Sequence, residues 1–88
     1  ERLEALVLGQ SLQKAKEMIL GGERRSEKIS AEIKKEIIKK KSARIDYIAV
    51  ADTDTLESLK YIKQKALIAL AVWVGKTRLI DNTIVSLK

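Results

Sequence analysis

The sequence predicts an α+β fold: a helical hairpin followed by a small three-stranded antiparallel sheet, in the order α-α-β-β-β. Three observations carry that expectation. Apolar residues recur at helical spacing up to residue 41, broken by Gly21-Gly22. From residue 43 the period changes to one that suits strands. The most apolar stretch, 66–74, then runs into Gly75-Lys76 and a second strand-like segment, which is a hairpin pattern. Helices precede strands, so this is not the alternating α/β arrangement.

Residues 1–20 read as the first helix. Leu8, Leu12, Ala15 and Ile19 form one stripe, begun less cleanly by Leu3 and Leu6. Gly21-Gly22 ends it, because glycine supplies a left-handed residue at a helix C-terminus at little steric cost. Residues 26–41 read as the second helix. Ser26 is the expected N-cap and Glu27 places negative charge in the first turn. Ile29, Ile33 and Ile37, with Ile38 beside them, make a narrow apolar stripe. Glu32 with Lys35 and Glu36 with Lys40 are favourable helical pairs, and Lys39, Lys40 and Lys41 sit where the helix dipole favours cations. The short glycine connection makes the two helices antiparallel. Residues 44–50 read as a strand, 52–55 as a turn cluster, and 56–59 as a short helical turn capped by Asp54 or Thr55. The segment 66–74 is apolar at both parities, as a central strand covered on both sides would be, although its alanines leave a buried helix open. Gly75 suits the first position of a type II′ turn, and 77–82 or beyond returns as the partner strand.

Composition excludes several chemistries. The 88 residues hold 18 Lys or Arg against 12 Asp or Glu, a net charge of +6, with no His, Cys or Pro. No thiol nucleophile, Ser-His or Cys-His pair, or histidine base can come from this chain. Neither a thiolate nor an imidazole zinc ligand is available, and no disulfide can form. The length fits one domain, 1–88, with one modest core. A doubly wound nucleotide-binding fold does not fit. The longest apolar run, 66–74, is far short of the roughly 20 residues a membrane span needs. There is no signal-peptide pattern and no initiator Met. The chain opens on Glu-Arg-Leu-Glu, which a piece of a longer protein explains best.

Each polar constellation has a bland and a sharp reading. Lys34-Lys35 and Lys39-Lys40-Lys41 suit a phosphate backbone, a membrane surface or an acidic partner, but acids are interleaved and aromatic stacking residues are absent. A solvated face is the better account. Asp52, Asp54 and Glu57 lack the ligand number and glycine of a calcium loop, so turn chemistry is the better account. Gly75-Lys76-Thr77 has the end of a phosphate loop, yet position 70 is Leu70 instead of the glycine required, and a strand follows instead of a helix. Arg78, Asp81 and Asn82 either face a substrate or form an internal ion pair, the second being favoured. Trp73 is expected in a core or an interface.

Several segments taken together resemble one family. The hairpin 66–82, the run Ala43-Arg44-Ile45-Asp46-Tyr47, the stretch Val50-Ala51-Asp52 with Thr55-Leu56-Glu57, and the helix pair with Ala-Lys-Glu at 15–17 and Gly-Glu-Arg at 22–24 are similar to the C-terminal domain of the pantoate–β-alanine ligase (pantothenate synthetase) family. The similarity runs over essentially the whole chain. Thr53 and Ser58 stand where the family commonly has proline, and Trp73 where it often has a basic residue.

The resemblance implies an ATP-dependent ligase of pantothenate and coenzyme A biosynthesis, cytoplasmic and often dimeric. It activates pantoate with ATP and Mg2+ as a pantoyl adenylate, which the amine of β-alanine then attacks. The family's phosphate-handling H-x-G-H motif and its S-S-R-N motif belong to a larger N-terminal Rossmann-type domain and the junction after it. Neither motif occurs here. The resemblance therefore assigns no catalytic, cofactor-binding or metal residue to this chain. It implies a lid, hinged near or before Glu1, that shields the adenylate, with Lys76 and Arg78 as candidates to face the anionic substrates. The expected partners are the N-terminal catalytic domain and, through it, pantoate, β-alanine and ATP. Neither nucleic acid nor membrane is expected as a partner. Two readings of another class remain: a freestanding basic module using 24–41 to bind nucleic acid or an acidic protein, and a module that pairs its exposed sheet edges.

Overall fold

A computed structural model describes residues 2–87, with side chains from residue 6 onward. Its elements are α1 (Arg2–Leu20), α2 (Ser26–Ile37), β1 (Ala43–Ala51), β2 (Lys65–Val74) and β3 (Thr77–Ser86). The α+β expectation holds. The strands form one antiparallel sheet with β2 in the centre.

The glycine pair ends α1 through paired backbone bonds. The Gly22 N–H donates to the Ile19 carbonyl at 3.1 Å and the Glu23 N–H to the Met18 carbonyl at 2.9 Å. Gly22 supplies the turning residue at φ +120°. The Arg24 guanidinium also donates to the Ile19 carbonyl, placing a cation at the negative end of the helix.

The second helix departs from expectation at both ends. It stops at Ile37, not at 41, so Lys39, Lys40 and Lys41 lie in turns. Ser26 is the first helical residue instead of the N-cap. Arg25 occupies the cap position and contributes no side-chain bond. The Ser26 N–H donates instead to the Lys60 carbonyl at 2.9 Å, and the Ile62 N–H to the Arg24 carbonyl at 2.9 Å. A distant loop thus satisfies the helix start, and nothing local in the sequence signals it.

The stripe on each helix meets the sheet. Leu12, Ala15 and Ile19 of α1 and Ile29, Ile33 and Ile37 of α2 are buried with Ile68, Leu70 and Val72 of β2. Each leucine, isoleucine or valine among them contributes about 1.5–3 kcal/mol by leaving water. Ser11 is buried within this stripe, and its hydroxyl is satisfied by donating to the Val7 carbonyl at 2.8 Å. Leu6 and Ile38 flank the stripes but are exposed. Leu3's side chain, and a hinge at Glu1, lie outside the described residues. Among the described residues no helix is long and apolar enough to cross a membrane.

Between β1 and β2 the chain turns tightly and forms no helix at 56–59. The Asp52 carboxylate accepts from the Asp54 N–H at 2.8 Å and the Thr55 N–H at 2.9 Å. Asp52 thus closes the turn, and the Thr55 hydroxyl accepts from the Glu57 N–H at 3.2 Å without starting a helix. Leu56 is forced to φ +63°, and Ser58 bridges back to Ala51. A residue in the left-handed region cannot continue a right-handed helical turn. At the other connection Gly75 has φ +61° and Lys76 does not have positive φ, as a type II′ turn requires. Val74 pairs with Thr77 across it.

Candidate functional site

The helices cover only one side of the sheet. On β2, Ala66, Ile68, Leu70 and Val72 belong to the core under the helices, whereas Leu67, Ala69, Ala71 and Trp73 point to the opposite side. Cross-strand register extends that second side. Tyr47 and Ile80 flank Ala71, Asn82 and Ala49 flank Ala69, and Ile84 and Ala51 flank Leu67. Ile80 and Ile84 are each 56% exposed and Tyr47 39%. This open face gathers Tyr47, Ile80 and Ile84 beside the half-buried Leu67, Ala69 and Trp73, and the sheet alone builds it. The sequence reads β2 as covered on both sides, but among the described residues only one side is covered.

A polar group sits at one end of the open face. Arg44 and Arg78 pair in register with Trp73 from opposite sides. A bulge between Ile45 and Tyr47 brings Asp46 to the same side. Arg78 Nε donates to Asp46 Oδ2 at 2.7 Å, and the guanidinium carbon lies 5.8 Å from the centre of the Tyr47 ring. Arg78 therefore pairs across the sheet with Asp46, not within its hairpin with Asp81. The reason is geometric. Asp81 pairs with core-facing Leu70, so its side chain leaves the sheet on the helix side. Lys76 is exposed at the tip of the turn beside this cluster. Trp73 is half-buried between the two arginines, on the side expected of an interface.

The other predicted constellations disperse. Glu32 and Glu36 of α2 are engaged with cations of their own chain. Lys14 of α1 lies 3.2 Å from Glu32 and 3.3 Å from Glu36, and Lys39 lies 3.3 Å from Glu36. These pairs cross between the helices or close its last turn, where the sequence reading paired Glu32 with Lys35 and Glu36 with Lys40. Bonds from Lys39 and then Lys14 hold the Glu36 carboxyl below its ordinary value. Glu32 and Glu36 raise the Lys14 ammonium above its own. Backbone N–H groups of Thr55 and then Asp54 depress Asp52. Glu23, accepting first from the Arg25 backbone N–H, is likewise depressed.

These arrangements bear on what the chain can hold. Among the described residues no three acidic side chains converge as a metal site needs. Asp52 already accepts two backbone bonds. Gly75-Lys76-Thr77 is a strand-to-strand turn, so it offers no helix N-terminus to a phosphate. A groove of about 570 Å³ between the 52–54 turn and 61–65 is lined by both Asp52 and Asp54 and both Lys63 and Lys65, a mixed surface with no convergent charge.

Sequence reasoning singled out Arg78, Lys76 and Trp73 but missed Asp46, Tyr47 and Arg44 as their neighbours. The signal was the strand register, since Arg44, Trp73 and Arg78 share a face once three strands are aligned.

Comparison with known proteins places this architecture. The sequence profile of the family described as pantoate-beta-alanine ligase matches residues 1–84. A pantothenate synthetase from Clostridium novyi is 51% identical over 87 residues, which are 99% of this chain and 31% of that protein. One from Thermotoga petrophila is 46% identical over 84 residues, 96% of this chain and 30% of that protein. The crystal structure of pantothenate synthetase from Thermus thermophilus superposes with a TM-score of 0.78 at 26% identity, covering 88% of this chain and 28% of that one. The chain thus spans about a third of the length of the curated relatives it matches, and it belongs to the pantoate-beta-alanine ligase family.

Proposed function

We propose that the chain is the C-terminal lid domain of an ATP-dependent ligase that joins pantoate to β-alanine through a pantoyl adenylate, in cytoplasmic pantothenate and coenzyme A biosynthesis. The observation that carries this reading is the family match over nearly the whole chain to about a third of each relative. Among the described residues neither a phosphate loop nor a carboxylate cluster is formed, which supports placing ATP and Mg2+ elsewhere. Those groups belong to the remaining part of the parent enzyme, and so does the bond-making chemistry.

What this chain contributes is a stiff cover. An acyl adenylate is lost if water reaches it, and a closing domain both excludes water and gates release. Two helices packed on a three-stranded sheet move as one body because they share a single core. Lys76 and Arg78 stand at one end of the open face as cations toward anionic substrates. Arg78 is already oriented by Asp46 and Tyr47, while Lys76 is free to reach. The basic-module reading has less to support it, because the family match covers nearly the whole chain and the segment 24–41 holds no aromatic residue for bases to stack on.

The test is pantoate-dependent exchange between ATP and pyrophosphate. The 88-residue chain alone gives none. Joined to the first two-thirds of the Clostridium novyi enzyme, it supports exchange and pantothenate formation. Turnover by the isolated chain, or a joined protein that folds but makes no pantothenate, overturns the reading.

A further inference from the structure

We infer that the open face of the sheet, not the helical side, is the surface that packs against the catalytic part of the ligase. The inference rests on the lid reading and adds the face and its residues. Three observations meet here.

The first is composition against environment. A sheet face in water alternates apolar-in with polar-out. The outward positions of β2 are instead Leu67, Ala69, Ala71 and Trp73, and β3 adds Ile80 and Ile84. Ile80 and Ile84 gain little from folding at 56% exposure. Around a buried Ala71, the half-buried Leu67, Ala69 and Trp73 and the exposed Tyr47, Ile80 and Ile84 gather on one face, and an apolar patch of this kind marks a contact surface. The helical side differs. The exposed positions of α2 are Glu27, Lys28, Ala31, Lys34 and Lys35, and the exposed apolar side chains of this side, Leu6, Leu20 and Ile38, lie near helix ends.

The second is what is available to cover the face. The relatives extend beyond this chain by roughly two-thirds of their length, ample to supply an opposing apolar surface.

The third is charge. One end of the face carries Arg44, Lys76 and Arg78 against a single carboxylate, Asp46, which is already paired. Pantoate and ATP are anions, so a catalytic part loaded with them presents negative charge to this end. A second copy of the chain brings another set of cations and no unpaired acid to the same face.

The experiment exploits the absence of cysteine from the chain. Ile80→Cys and, as a control at the end of α1, Leu20→Cys are each introduced into the 88-residue chain. They are also introduced into the protein that joins it to the Clostridium novyi remainder. Labelling by a water-soluble maleimide is followed by mass spectrometry of the modified peptide, with ATP, Mg2+ and pantoate present. Both positions are exposed, so both variants are expected to fold. Labelling of Ile80→Cys slows at least tenfold on joining, and that of Leu20→Cys changes less than twofold. In parallel, Ile80→Glu lowers pantothenate formation at least tenfold and Leu20→Glu less than twofold.

Equal labelling rates for Ile80→Cys in the two proteins, with the joined enzyme active, overturn the face assignment and leave the lid reading intact. Equal slowing at Leu20→Cys also overturns it. Slow labelling of Ile80→Cys already in the isolated chain, relieved by dilution, assigns the face to a second copy and overturns the inference. An inactive joined enzyme overturns the lid reading and this inference together.

Discussion

The two faces of one sheet carry similar side chains and meet different fates. On the helix side, Ile68, Leu70 and Val72 are fully buried against isoleucines of α1 and α2. On the other side, Leu67 and Trp73 are half-buried, and Ile80 and Ile84 beside them stand in solvent. Composition makes both faces of β2 apolar, and among the described residues the helices pack against one of them.

That contrast can be broken experimentally, and the largest effect lies on the covered side. Ile33→Ala or Ile68→Ala costs about 2–5 kcal/mol, transfer and cavity together. For a domain whose total stability is about 5–15 kcal/mol, chemical denaturation should show a large loss or no folded baseline. On the open side, Ile84→Ala shifts the isolated chain by less than about 0.5 kcal/mol, the usual range for an exposed position. A loss there approaching that at Ile68 would mean that the open face is covered within this chain.

The turn that aligns the two faces comes next. Gly75→Ala places a side chain at φ +61° and costs about 1–2 kcal/mol. Urea unfolding measures it, and the conservative check is Gly75→Asn, which tolerates that region better and should recover part of the loss.

The polar end of the open face gives a smaller effect. Arg78 and Asp46 are 39% and 36% exposed, so Asp46→Ala costs at most about 1 kcal/mol. Repeating the melt in 1 M salt should abolish about half or more of the difference. A cost that survives salt would mean that packing of Arg78 on Tyr47 outweighs its charge.

The smallest expected effect is with pH. Glu23, Glu36 and Asp52 are depressed in the folded state from ordinary values of 4.5, 4.5 and 3.8. Their contributions are intact above those values and are lost as pH falls through the depressed ones. Lys14 is raised from 10.5, so its contribution is intact below that value and lost as pH rises beyond it. Thermal melts should therefore be level through neutrality and decline at the acid end. Glu36→Gln should flatten part of that decline, since it removes a carboxylate that Lys14 and Lys39 hold ionised.

The elements were legible because each depended on neighbours in sequence. The stripe Leu8, Leu12, Ala15 and Ile19, the glycine stop and the hairpin at Gly75 are all short-range patterns. The misreadings occurred where distant chain intervened. Ser26 is not the cap, because pairing with 60–62 holds Arg25 extended at φ −86° and ψ 120°, which moves the cap position to Arg25 and makes Ser26 the first helical residue. The 56–59 segment is not helical, because its backbone pairs with the end of β1: the Asp52 N–H donates to the Glu57 carbonyl and the Leu59 N–H to the Val50 carbonyl, on either side of the Ser58–Ala51 bridge. Arg78 misses Asp81 because alternation along β3 sends the two side chains to opposite faces.

By itself, the sequence determined the order and type of the elements, the absence of thiol and imidazole chemistry, and a central strand apolar at both parities. Periodicity and composition are properties of the chain alone. Only the tertiary structure decided which parity the helices take and which is left bare. It also decided that Arg44, Asp46, Tyr47, Trp73 and Arg78 share one end of that bare side. Such a neighbourhood depends on the register of three strands far apart in sequence, and register is fixed by what the core buries, not by any one segment.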